Sequence, residues 1–163
     1  MTLNYGSSAL HKVLGSGAGK KEKKSSGRAA DSTETVITIV YGDGKVFEAQ
    51  DSNGLADPFI RIGTVKSEGV FSKKWKSESP VCEKTLTPNW NYCEDEFIIK
   101  KTTKELVVEL WDKDTLKDDF VGRAIVDISG IVTSLMSFNI EFREKPTDEK
   151  PKGTVTIYIK KLY

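Results

Sequence analysis

Leu106-Val107-Val108-Glu109-Leu110-Trp111-Asp112-Lys113-Asp114-Thr115-Leu116-Lys117-Asp118-Asp119 is the stretch that decides the fold. Its first half is a short apolar run rich in β-branched residues, which reads as a largely buried strand. Its second half is a turn loaded with carboxylates. The same strand pattern recurs at Val36–Tyr41, Asp57–Gly63 and Thr154–Ile159, with further short strands at Phe97–Ile99, Arg123–Ile128 and Phe138–Phe142. Gly42-Asp43-Gly44 is read as the stop of the first of these. Ile128–Met136 has room for one helical turn, but no long helical stripe runs anywhere. Roughly eight short strands separated by turn chemistry predict an all-β, antiparallel β-sandwich.

Outside these strands the chain changes character. Residues 1–35 are rich in Gly, Ser, Ala and Lys, with no aromatic after Tyr5, and carry six Lys or Arg against three Asp or Glu. Such a segment cannot bury enough apolar surface to offset chain entropy, so it is read as a disordered basic tail ahead of a domain at 36–163. Lys20, Lys21, Lys23 and Lys24 are either a weak attraction for anionic membrane or a solvated linker. The 163 residues carry 25 Lys or Arg and 24 Asp or Glu, a net charge of +1, which argues against a nucleic-acid partner for the molecule as a whole. No apolar run approaches the length of a membrane span, and the first twenty residues lack a signal peptide's apolar core. A soluble intracellular protein is expected. The sole histidine, His11, lies in the tail, and Cys82 and Cys93 lack zinc-site spacing and are expected to be free thiols. Little material remains for acid–base or nucleophilic catalysis, and no enzymatic activity is expected.

The aspartates carry the functional signal. Asp51-Ser52-Asn53-Gly54-Leu55-Ala56-Asp57 falls between the first two strands, and Asp112 to Asp119 follows the strand ending at Trp111. Taken singly, each is an ordinary turn. If both emerge at one end of the sandwich, about five carboxylates converge there, and their repulsion asks for a cation. A hard divalent ion with large, flexible oxygen coordination fits best, which is calcium rather than magnesium. The second loop is not an EF-hand, because Leu116 and Lys117 stand where an oxygen ligand and a glycine are needed. Gly15 to Lys20 is not a phosphate loop, since Leu14 and Lys21 break the pattern.

Three ordered blocks now resemble the C2 domain family: Asp51 to Arg61 (Asp-Ser-Asn-Gly-Leu-Ala-Asp-Pro-Phe-Ile-Arg), Lys84-Thr85-Leu86-Thr87-Pro88-Asn89-Trp90-Asn91, and Trp111-Asp112-Lys113-Asp114 followed by Asp119-Phe120-Val121-Gly122. The resemblance implies an eight-stranded sandwich. Because no strand is read before Val36 and one is read at the C-terminus, the order is similar to the phospholipase-like type II topology. It also implies calcium ligands at Asp51, Asp57, Asp112, Asp114 and Asp119, helped by backbone carbonyls near Ser52 and Lys113. The third loop is one residue shorter than the family's usual one, which leaves Asp118 competing with Asp119 as the last ligand. An extra-long run at Tyr92–Glu96 predicts a bulge.

The function this resemblance implies is calcium-dependent binding of anionic phospholipid membrane, with phosphatidylserine as the expected lipid. Leu55 and Leu116 would enter the headgroup region. Lys73, Lys74 and Lys76 form a basic run around Trp75 that is either a membrane contact, phosphoinositide included, or a solvated face. The protein is expected to be a monomer in the cytoplasm, recruited peripherally when calcium rises. The alternative is a calcium-independent module for binding protein partners.

Overall fold

In the computed structural model, residues 31–48, 52–65 and 75–163 are described. They form eight strands: β1 Glu34–Val46, β2 Pro58–Thr64, β3 Ser77–Glu78, β4 Asn89–Lys100, β5 Glu105–Asp112, β6 Asp119–Asp127, β7 Met136–Phe142 and β8 Gly153–Lys161. Two four-stranded antiparallel sheets, ordered β4-β1-β8-β7 and β3-β2-β5-β6, face each other. The C-terminal strand β8 lies between β1 and β7. Ile37, Ile39 and Tyr41 of β1, Ile60 and Ile62 of β2, Leu106, Val108 and Leu110 of β5, and Val155, Ile157 and Ile159 of β8 point into the space between the sheets and are buried there. This is the alternation expected when one face of each strand meets a core.

The expected all-β sandwich is what forms, with local differences. β1 begins at Glu34 rather than Val36, because Glu34 and Thr35 pair with Lys100 and Ile99 of β4 and Thr35 Oγ1 donates to Tyr163 O beyond β8. Residues 1–30 of the tail lie outside the described residues. Gly42-Asp43-Gly44 does not stop the strand. β1 continues to Val46 through a register shift against both neighbours. A Cβ on Gly44 would sit 2.6 Å from Thr154 O and 2.8 Å from the Trp90 ring, so these glycines serve close approach inside a bulge. The bulge expected near Tyr92–Glu96 is present: Ile37 pairs with Phe97 but Ile39 with Glu94. Ile128–Met136 makes turns and bends, with Ile131 N–H reaching Ile128 O, and no helix. Cys82 and Cys93 are free thiols.

The two flanks of the sandwich are closed differently. On one, Tyr41 Oη and Ser77 Oγ lie 2.6 Å apart, and Ser77 Oγ donates to Glu94 Oε2, which links β1, β3 and β4. Burial pushes the Tyr41 hydroxyl well above its ordinary pKa, so it stays protonated. On the other, Arg123 and Arg143 exchange backbone hydrogen bonds between the β6 and β7 edges. A cleft of about 510 Å³ lies along this flank, lined by residues that include Ala124, Val126, Phe138 and Ile140.

Glu109 is 1% exposed on the outward side of β5. Arg123 Nε donates to its Oε1 at 2.6 Å and Trp111 Nε1 to its Oε2 at 2.9 Å. Removing one partner of a buried pair strands the other charge, although Arg123 is itself partly exposed. Arg123→Met is therefore expected to cost about 2–3 kcal/mol, read as a lower urea midpoint. An unchanged midpoint would show that water reaches Glu109.

Candidate functional site

Register fixes where the acidic loops emerge. Pro58 at the start of β2 pairs with Asp112 at the end of β5, and Asp112 pairs with Asp119 at the start of β6. The residues 52–57 that lead into β2 and the segment 113–118 therefore lie at the same end of one sheet. The segment 79–88 joins them as it leads into β4, since Val46 N–H donates to Leu86 O and Gly44 N–H to Pro88 O.

Asp57 is the knot of the three. Its N–H donates to Asp112 Oδ1 at 2.7 Å, its carbonyl accepts from Lys113 N–H, and its Oδ1 accepts from Lys84 N–H at 2.6 Å. Thr85 N–H donates to the carbonyl of buried Ala56. Lys84 adopts a φ of 53° to aim its amide this way. Gly54 has a φ of 78°, a conformation that suits glycine, beside an Asx turn in which Asn53 Oδ1 accepts from Leu55 N–H.

Asp57 and Asp112 are thus brought into direct hydrogen-bonded contact. Asp112 is nearly buried, while Asp114 and Asp119 are exposed at the mouth. Asp114 Oδ1 accepts the Thr115 N–H. Asp51 lies outside the described residues. Among the described residues, no three His, Cys, Asp or Glu side chains lie close enough to hold a metal ion. The acidic side chains nevertheless come from two loops held in fixed register, and a set of carboxylates without His or Cys suits hard divalent cations such as calcium, magnesium or manganese.

Asp118 was open as an alternative ligand, and the structure turns it elsewhere. Its Oδ2 lies 3.5 Å from the Arg61 guanidinium and its Oδ1 3.2 Å from Lys113 Nζ. Partial burial pulls its carboxyl up, but the Lys113 hydrogen bond, the Asp114 N–H and the charges of Lys113 and Arg61 outweigh this and hold it below the usual carboxylate range. The stability it contributes is complete above the ordinary carboxylate pKa and is lost as pH falls through the lowered value. The sequence assigned no role to the side chains of Arg61 and Lys113; the expectation for Lys113 concerned its backbone carbonyl alone. The available signal was an Arg two residues beyond Phe59 on the strand opposite Trp111.

Leu116 is 96% exposed at the tip of 113–118, whereas Leu55 is half-buried. Lys76 lies beyond Ile62, away from the acidic end, and its Nζ donates to Ile98 O. Lys73 and Lys74 lie outside the described residues.

The C2 domain family model matches residues 35–143. The chain belongs to the C2 domain family. A C2 domain-containing protein of Dictyostelium discoideum is 40% identical over 125 residues, covering 74% of this chain and 63% of that protein. The human multiple C2 and transmembrane domain-containing protein 1 is 34% identical over 97 residues, 59% of this chain and 9% of that protein. This C2 domain therefore spans less than two thirds of the length of either relative. Among solved structures, a C2 domain of plant extended synaptotagmin 1 superposes with a TM-score of 0.62 at 17% identity, covering 80% of this chain and 96% of that one. The calcium-bound pair of C2 domains of extended synaptotagmin 2 gives 0.59 at 24%, covering 79% of this chain and 46% of that one. At these identities the superpositions speak for the fold.

Proposed function

We propose that this C2 domain is a calcium-dependent module that targets anionic phospholipid membranes, and that it is not itself an enzyme. The observation that carries the reading is the convergence at one end of Asp57, Asp112, Asp114 and Asp119 beside a fully solvated leucine. Asp51 adjoins the same segment in sequence. Asp114 and Asp119 are exposed, so their carboxylates can turn without repacking the core.

Before metal arrives, the acidic tips repel anionic lipid. Two divalent ions would nearly cancel five carboxylates, and lipid phosphate or carboxylate oxygens would fill coordination positions that the protein leaves open. The switch is then a change of local charge on a rigid sandwich. Lys76 is engaged by Ile98 O, which favours a phosphatidylserine-type surface contact over a phosphoinositide site on that basic run. Among the described residues no helix is long and apolar enough to cross a membrane. The proposed recruitment is peripheral, from the cytoplasm, as a monomer.

Co-sedimentation of the full chain with phosphatidylserine vesicles, in calcium and in chelator, tests this. Pelleting in calcium alone is expected. Equal pelleting in both would transfer the function to the basic segments, and none in either would favour a protein-binding module. Leu116→Ser is expected to weaken calcium-dependent vesicle binding about tenfold, since inserting a leucine contributes about 1–2 kcal/mol. Calcium uptake in solution should be unchanged. Equal vesicle affinity would show that the tip stays in water.

A further inference from the structure

We propose that Asp118 is a positioning residue, latched by Arg61 and Lys113 on the outward side of the β2–β5–β6 sheet, that holds the loop 113–118 in place and leaves Asp119 as the neighbour facing Asp57. Its effect on calcium rests on the calcium reading above; the latch itself does not.

Strand geometry separates the two neighbours. Asp112 and Asp119 are directly paired across β5 and β6, and so are Trp111 and Phe120. Directly opposed residues put their side chains on the same face, and successive residues alternate. Trp111 and Phe120 meet edge-to-face at 5.4 Å on the outward side. Asp112 and Asp119 therefore share the other side, toward Asp57. Asp118, one residue before Asp119, is directed back to the outward side, where Arg61 is.

The receptor for Asp118 is already built. The Arg61 guanidinium lies 4.9 Å from the Trp111 ring centre and 5.0 Å from that of Phe59, and its Nε donates to Glu78 Oε2 at 2.8 Å. Lys113 Nζ is 5.9 Å from the Phe59 ring centre. Asp118 closes this group: Oδ2 accepts from Arg61 and Lys113, and Oδ1 accepts from the Asp114 N–H at 3.4 Å. Its side chain keeps only 17% of its exposure. Swinging it toward an ion would take an anion away from two cations held against aromatic faces.

Two consequences follow for calcium. The latch restrains the loop between Lys113 and Asp118, which reduces the ordering that binding must impose on it. It also neutralises one acidic charge of the loop with protein cations, so that Asp118 adds little to the repulsion the metal must relieve.

Calorimetric calcium titration of the full chain is the first arm of the test. Asp119→Asn is expected to reduce the number of ions bound. Asp118→Asn should keep that number and weaken affinity three- to tenfold, Arg61→Gln should do the same, and the double variant should be no weaker than the worse single variant within twofold. Loss of an ion in Asp118→Asn with none lost in Asp119→Asn would overturn the assignment. The second arm is urea unfolding in chelator, where the double variant should lose less stability than the two singles added together. Strict additivity there would overturn the latch. If the wild type takes up no calcium, the membrane reading and the role of Asp119 both fall, while the chelator experiment still decides whether Asp118 and Arg61 act as a unit.

Discussion

Asp114→Asn is expected to abolish calcium-triggered sedimentation with phosphatidylserine vesicles while leaving the calcium-free fold intact. Asp114 is exposed beyond the end of β5, and its side chain accepts a hydrogen bond from the next residue's N–H, which an asparagine oxygen also accepts. Nothing in the core changes. What is lost is one negative charge where an ion must be held, and a hard cation binds a neutral amide oxygen far more weakly than a carboxylate. A loss of about a hundredfold in calcium affinity, about 2.7 kcal/mol, is the expected scale. Because Asp114 sits among like charges, the calcium-free melting temperature should stay level or rise slightly. Undiminished calcium-dependent pelleting by this variant would sink the proposed function.

Gly122→Ala is expected to destabilise the fold strongly for so small a substitution. A Cβ at Gly122 would lie 2.9 Å from Phe142 Cβ and 3.0 Å from the Arg143 amide nitrogen. Neither can yield cheaply. Phe142 is fully buried, and Arg143 makes the backbone bridge to Arg123 that joins the edges of the two sheets. Relief requires the β6 and β7 edges to part, so the cost is that of an overpacked core, about 2–3 kcal/mol. For a domain of this size that corresponds to a melting temperature lower by about 8–12 °C. A melt within about 2 °C of the wild type would mean that the flank is soft.

The glycine also shows how far motif reading goes. Gly122 was visible as the end of the Asp-Phe-Val-Gly block, but its reason for being glycine lies on β7, far along the chain. The same distinction runs through the acidic site. Asp57, Asp112, Asp114 and Asp119 were legible because strands that alternate or run apolar end at them. The side-chain roles of Arg61 and Lys113 were not, because Arg61 reaches Asp118 from another strand and the Lys113–Asp118 pair sits in an irregular loop with no periodic trace.

Sequence alone determined the class of fold, the expectation of a sandwich and the two acidic loops, since strand alternation and turn chemistry are local properties. It misread Gly42-Asp43-Gly44 as a stop, because a bulge exists only relative to a partner strand. Tertiary structure alone decided that the acidic loops share one end, that Lys76 is spent on Ile98 O, and that Asp118 turns from its neighbour toward Arg61. Each of these is set by register between strands distant in sequence, and register is a property of the folded sheet rather than of any one strand.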